Sequence, residues 1–136
     1  MADTTTRTRS LNSTVAAVAG AGFALGGLVG FFLSENVVSK TDSDLLGFQV
    51  NHLHNVVHLL IGLALVATSR RLDTARGANL AIGATYLLLG VVGWFIQDTA
   101  VNVVALNEAD HLLHLASGVL LTAVAVSTDR SSRPRG

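Results

Sequence analysis

Residues 51–62 read NHLHNVVHLLIG, three histidines and two asparagines at the head of a run that stays apolar as far as Ala67. Residues 107–118 read NEADHLLHLASG, with the same order of Asn, His and Gly. The spacing is helical. Asn51, His54, His58 and Gly62 fall on one face, and the stripe repeats as Asn107, Asp110 or His111, His114 and Gly118. Asn51 and Asn107 each stand where an apolar helix begins. An asparagine there caps the helix, because its side-chain oxygen accepts one of the orphan N–H groups of the first turn. Asp110, near the positive end of its helix, is favoured by the helix dipole.

Outward from these stretches the chain is largely apolar between its two tails. Of its 136 residues 50% are hydrophobic and 13% charged, and the mean hydropathy is +0.53. A helix needs about 20 apolar residues to cross a bilayer. Four such stretches lie between Arg9 and Glu35, Asp44 and Arg70, Arg76 and Asp98, and Asp110 and Asp129. They predict an all-α bundle of four transmembrane helices over residues 11–33, 51–69, 76–97 and 107–127, forming one domain over 11–127. The polar tails 1–10 and 128–136 are expected to be disordered. The run from Leu11 to Leu33 is too long for a signal-peptide core, so it reads as a retained helix. With no cysteine, disulfides, thiolate metal sites and cysteine nucleophiles are excluded.

Charge predicts the orientation. In a four-helix topology Arg7 and Arg9, then Arg70, Arg71 and Arg76, then Arg130, Arg133 and Arg135 share one side, and the other has a single base, Lys40. Basic residues in short loops stay cytoplasmic, so both termini are expected in the cytoplasm and the two histidine stretches at the outer face. The basic tails fit anionic lipid headgroups, not nucleic acid. Phe31, Phe32, Trp94 and Phe95 fall at outer helix ends, as interface anchors would.

The chain also matches itself. Shifting the fourth helix back by 56 residues lays Asn107 on Asn51, His114 on His58 and Gly118 on Gly62. Shifting the third back by 63 lays Gly83, Gly90, Gly93 and Phe95 on Gly20, Gly27, Gly30 and Phe32. Two copies of one helical hairpin are therefore expected, a parallel repeat about an axis along the membrane normal. Gly20, Gly27, Gly62, Gly83, Gly90 and Gly118 read as packing positions, since small residues let helices approach where lipid supplies no hydrophobic drive.

His58 and His114 lie seven residues past their caps, about 10 Å down the axis at 1.5 Å per residue. Polar groups at that depth should face the bundle interior. Four readings compete. The imidazoles could lock the bundle as polar contacts between helices. His54, His58, Asp110, His111 and His114 could hold a divalent metal such as zinc. His58 and His114 could be axial ligands of haem b. Clustered histidines under an acidic rim could sense pH or relay protons. For a path across the membrane the inner half offers only Thr68, Thr85 and Thr122, which disfavours the relay. Glu108 and His111 form one Glu-x-x-His, but His52 and Asn55 stand at the equivalent places, which disfavours a di-iron site. Ser117 beside His114 is a weak hint of a nucleophile. No catalytic residue is assigned, and enzymatic activity is not the default reading.

The paired motifs N-x-x-H-N-x-x-H-L-x-x-G and N-x-x-D-x-x-L-H-L-x-x-G resemble those of a bacterial family of small four-helix membrane proteins, DUF4383, and the resemblance covers residues 12–126, essentially everything but the tails. Asn51, His54, Asn55, His58 and Gly62 carry the first motif. Asn107, Asp110, Leu113, His114, Leu115 and Gly118 carry the second. His111 departs, standing where the pattern has Asn, as Asn55 stands in the first copy. The resemblance implies four helices and a multi-pass plasma-membrane location, and brings no activity with it. The expectation is an accessory or scaffold protein without a cofactor, whose outer Asn/His cluster locks the bundle. A metal- or haem-binding protein is the alternative. The bilayer is its solvent, and a membrane protein or a second copy its partner.

Overall fold

The structure, a computed structural model, describes residues 10–38 and 44–127. Arg7, Arg9, Lys40, Asp42, Arg130, Arg133 and Arg135, and most of both predicted tails, lie outside the described residues. Four helices dominate: α1 Leu11–Leu33, α2 His52–Thr68, α3 Leu72–Ile96 and α4 Glu108–Val126. By length and composition α1, α3 and α4 are long and apolar enough to cross a membrane. Helix α2 has 17 residues, so at 1.5 Å per residue it spans about 25 Å, slightly less than a hydrocarbon core of about 30 Å.

The helix ends follow local chemistry. Ser10 caps α1 by accepting from the Ser13 N–H at 3.1 Å, and the Ser34 hydroxyl closes it by donating to the Gly30 carbonyl at 2.8 Å. Helix α3 begins at Leu72, four residues before the predicted start, because nothing between Leu72 and Arg76 breaks a helix and Asp73 favours its first turn. Arg76 therefore belongs to α3 and not to the connection. Its Nε donates to the Ala125 carbonyl at 2.8 Å, satisfying one of the unpaired carbonyls at the end of α4.

One short element departs from the all-helical expectation. Strands β1 Asp44–Leu45 and β2 Phe48–Gln49 form an antiparallel hairpin ahead of α2. Its two turn residues, Leu46 at φ 56° and Gly47 at φ 92°, take the left-handed conformations a two-residue hairpin turn requires. The Asp44 carboxylate holds the turn by accepting from the Gly47 N–H at 2.8 Å.

The helices pack as two pairs, α1 on α2 and α3 on α4, and the pairs meet through α1 with α3 and α4 and through α2 with α3. Within each pair the backbones nearly touch. A Cβ at Gly20 would stand 2.7 Å from the Gly62 carbonyl oxygen, and one at Gly62 would meet the backbone of Ala24. In the other pair a Cβ at Gly83 would stand 2.8 Å from the Thr122 nitrogen, and one at Gly118 2.8 Å from the Leu87 nitrogen. Gly27 lies equally close to the backbone at Asn55 and Leu59, and Gly90 against Leu115.

Around this seam the molecule is inverted relative to a water-soluble protein. Its buried apolar core is small, Ala16, Leu65 and Ala75 with Phe23, Ile61 and Ile82 packed against them. Leu25, Phe32, Leu88, Phe95, Leu112 and Val119 are exposed on the outside, while Asn12, Asn51, Asn55, Asn79, Asp110 and His114 are buried within. Apolar outside and polar inside is the arrangement that lipid as solvent selects.

Candidate functional site

The polar residues at the starts of α2 and α4 each do two things. Asn51 caps α2, accepting from the His54 N–H at 2.8 Å, while its amide nitrogen donates to the Val103 carbonyl at 2.8 Å. Asn107 caps α4, accepting from the Asp110 N–H at 3.1 Å, and the Asp110 carboxylate accepts from the Asn107 N–H at 3.0 Å, a reciprocal capping box. The Asn107 amide donates to the Gly47 carbonyl at 2.9 Å. Each cap thus reaches the loop that leads into the other cap. His54 adds a further tie, its Nδ1 lying 2.9 Å from the Val104 carbonyl.

One residue beyond each cap motif a second pair of ties crosses within each hairpin. Asn55 donates to the Ser34 hydroxyl at 2.7 Å, its side chain lying where Gly30 leaves room. His111 turns its Nε2 to Gln97 Oε1 at 3.1 Å, in the space left by Gly93, with the Trp94 ring at 5.8 Å. His111 is therefore drawn toward α3 and away from the other imidazoles.

The remaining rings gather in the bundle centre. His58 and His114 face each other with ring centroids 6.0 Å apart, and His54 lies 4.6 Å from His58. Asp110 Oδ1 stands 3.8 Å from His54 Nε2, close enough for an ion pair but not for a hydrogen bond. Phe23 lies edge-on to His58 at 5.5 Å, and Tyr86 edge-on to His114 at 4.8 Å. Of the five residues singled out as metal candidates the structure collects His54, His58, Asp110 and His114. Among the described residues no group of three or more His, Asp or Glu side chains could hold a metal ion. Ser117 donates back to the Leu113 carbonyl at 2.5 Å, so its hydroxyl is engaged in its own helix and not with an imidazole.

Sequence reasoning passed over several residues. Tyr86 is buried at the heart of the cluster, and among the described residues neither its hydroxyl nor His114 Nδ1 has a hydrogen-bond partner. The available signal was the register, since Tyr86 stands 63 residues after Phe23, in the same offset as the glycines. In the half of the bundle away from the asparagine caps, polar side chains are not confined to threonines. Asn79 donates to the Asn12 backbone carbonyl and side chain, both at 3.1 Å, joining α3 to α1. Thr68 and Thr85 bond back to their own helices.

Asn102 organises the loop before α4, donating to the Gln97 and Leu106 carbonyls at 3.0 and 2.8 Å and accepting from the Leu106 N–H at 2.8 Å. Replacing it with alanine strands these buried groups and should cost about 1–2 kcal/mol. Amide hydrogen exchange checks this: the Leu106 N–H should become fast while the interior of α3 stays protected.

The fold and this interior define a class, a small helical bundle with an apolar exterior and a polar, hydrogen-bonded end. The chain belongs to the family described as domain of unknown function, DUF4383, whose sequence model matches residues 13–127. No curated protein and no solved structure matches it.

Proposed function

We propose that this chain is a four-span plasma-membrane protein with both termini in the cytoplasm, built from two copies of one helical hairpin, and that it serves as an accessory or scaffold protein. The outer Asn/His cluster locks the two hairpins together. The carrying observation is the reciprocal pair of cap-to-loop bonds, Asn51 to Val103 and Asn107 to Gly47. A 56-residue shift carries the donor of one bond onto the donor of the other, and the acceptor onto the acceptor.

Further equivalences support the duplication. The Asn55–Ser34 tie corresponds to His111–Gln97, and the Gly20–Gly62 approach to Gly83–Gly118. The rings of His58 and His114 meet, as a side-by-side repeat requires. The split of the arginines supports the orientation. On this reading the lipid bilayer is the solvent, and a membrane protein or a second copy of the chain is the partner.

The test is purification in mild detergent, with measurement of metal stoichiometry and the visible spectrum, repeated on His58→Ala and His114→Ala. The scaffold reading expects metal-free, colourless protein, and a stability lower by about 1–2 kcal/mol in each variant. Stoichiometric metal, or a Soret band lost in both variants, would replace it with the metal or haem reading.

A further inference from the structure

Two glycines of α1 are unexplained by packing. Added Cβ atoms at Gly22 and Gly26 would meet nothing within 4 Å, although glycine weakens a helix by roughly 0.5–1 kcal/mol relative to alanine. Both line a cavity of about 350 Å³, together with His54 and His58 of α2 and Asp110 and Leu113 of α4. Leu25 and Val29, exposed on the outside of the bundle, also line it, so it reaches the surface that lipid would cover. Its size lies in the range of small-molecule sites, which are mostly apolar with a few convergent polar groups.

The two-hairpin register supplies a control within the same molecule. A second cavity of about 180 Å³ lies between α2 and α3, lined by Val57, His58, Tyr86, Leu89 and His114 among others. Its lining corresponds to the first with Leu89 in place of Gly26, Tyr86 in place of Phe23 and Val57 in place of Leu113. The first cavity is the larger where glycine replaces leucine, and it alone of the two includes the carboxylate of Asp110.

Its polar wall has unused hydrogen-bonding capacity. His54 is 5% exposed and Asp110 2%. The His54 Nδ1 is committed to Val104, but among the described residues its Nε2 has only Asp110, at 3.8 Å. The His58 ring has ring neighbours and no hydrogen bond among the described residues. His58 is only half-buried, so its ring nitrogens can take a hydrogen bond from a group that enters the cavity. No Lys or Arg lines the cavity and one carboxyl group does, so an anionic head is disfavoured. Imidazole nitrogens suit an uncharged carbonyl or hydroxyl, and the apolar walls suit a chain continuing into lipid.

We infer that the α1–α4 cavity binds an uncharged membrane amphiphile, its carbonyl or hydroxyl head held at His54, His58 and Asp110 and its apolar tail leaving past Leu25 and Val29. Two sources share this chemistry, an isoprenoid quinone and a neutral glycerolipid.

Native mass spectrometry of the full chain released from detergent micelles separates them. The probes are a short-chain benzoquinone, a monoacylglycerol, and dodecyl phosphate as an anionic control. The expected result is one benzoquinone or one monoacylglycerol per chain, whichever binds identifying the source, and little dodecyl phosphate. Occupancy should fall at least tenfold in Gly26→Leu, which restores the residue of the equivalent position, and in Gly22→Leu as an independent filling variant. Gly77→Leu, at a third glycine with open space, should bind like the parent. Failure of both neutral probes to form a one-to-one adduct, equal occupancy in the Gly26 and Gly77 variants, or equal binding of dodecyl phosphate would overturn the inference. Thermal stability of the filling variants should match or exceed the parent's, whereas failure of the scaffold reading would appear as unchanged stability in the His58 and His114 variants.

Discussion

Gly62→Leu is expected to pull α1 away from α2 and to lower stability by at least about 3 kcal/mol. A Cβ at residue 62 would meet the backbone nitrogen of Ala24 and stand 2.6 Å from the Gly20 carbonyl oxygen. Overpacking commonly costs 1–3 kcal/mol where neighbouring side chains can yield. Here the obstacle is backbone, which yields only if the whole helix moves. Moving it would also separate Gly20 from Val66 and Gly27 from Leu59, so the loss is not confined to one site. Unfolding by denaturing detergent, followed by circular dichroism, measures the effect. Gly26→Ala supplies the contrast, since its added methyl has open space and should leave stability unchanged or raise it by up to about 1 kcal/mol. Equal losses at 26 and 62 would mean that close approach of α1 to α2 does not hold the hairpin.

Asn51→Ala should cost about 2–4 kcal/mol, the second largest effect. About 1 kcal/mol is the lost cap. The rest comes from leaving the Val103 carbonyl without the amide that now bonds it, with Asn51 itself fully buried. Asn51→Ser separates the parts, because serine caps a helix but cannot reach as a second donor. It should recover the cap and leave the crossing bond broken. Asn107→Ala should cost less, about 1–2 kcal/mol, because its bond to Gly47 is exposed and water can replace the lost donor. The double variant Asn51→Ala with Asn107→Ala tests whether the two bonds act as one lock. A loss larger than the sum of the singles marks coupling, and simple additivity marks two independent caps.

Asn102, Tyr86 and Asn79 show where pattern reading stops. The asparagines at 51 and 107 were legible because an N-cap is a local event, decided by one side chain and the three residues after it. Asn102 has no such frame. It sits in a loop with Ala105 at φ 55°, and its three partners are brought to it by the path of the chain. Tyr86 and Asn79 stand on an apolar helix whose inward face cannot be read from hydropathy when both faces are apolar. His111 resembles the other histidines in sequence and is parted from them by Gly93, which opens a space toward α3.

Four apolar helices and the asparagine caps of α2 and α4 followed from the sequence alone, since bilayer thickness, hydropathy and capping chemistry act over single turns and single helices. The 56- and 63-residue registers were also visible there, because recurring residues need no coordinates to be compared. Tertiary structure alone decided which imidazoles meet, that Arg76 belongs to α3, and that a β-hairpin precedes α2. It alone distinguished glycines pressed against backbone from those bordering a cavity. The physical reason is common to all of these. A helix exposes every side chain somewhere around its circumference, and only the packing of its neighbours determines which of those directions is filled by backbone, by lipid or by open space.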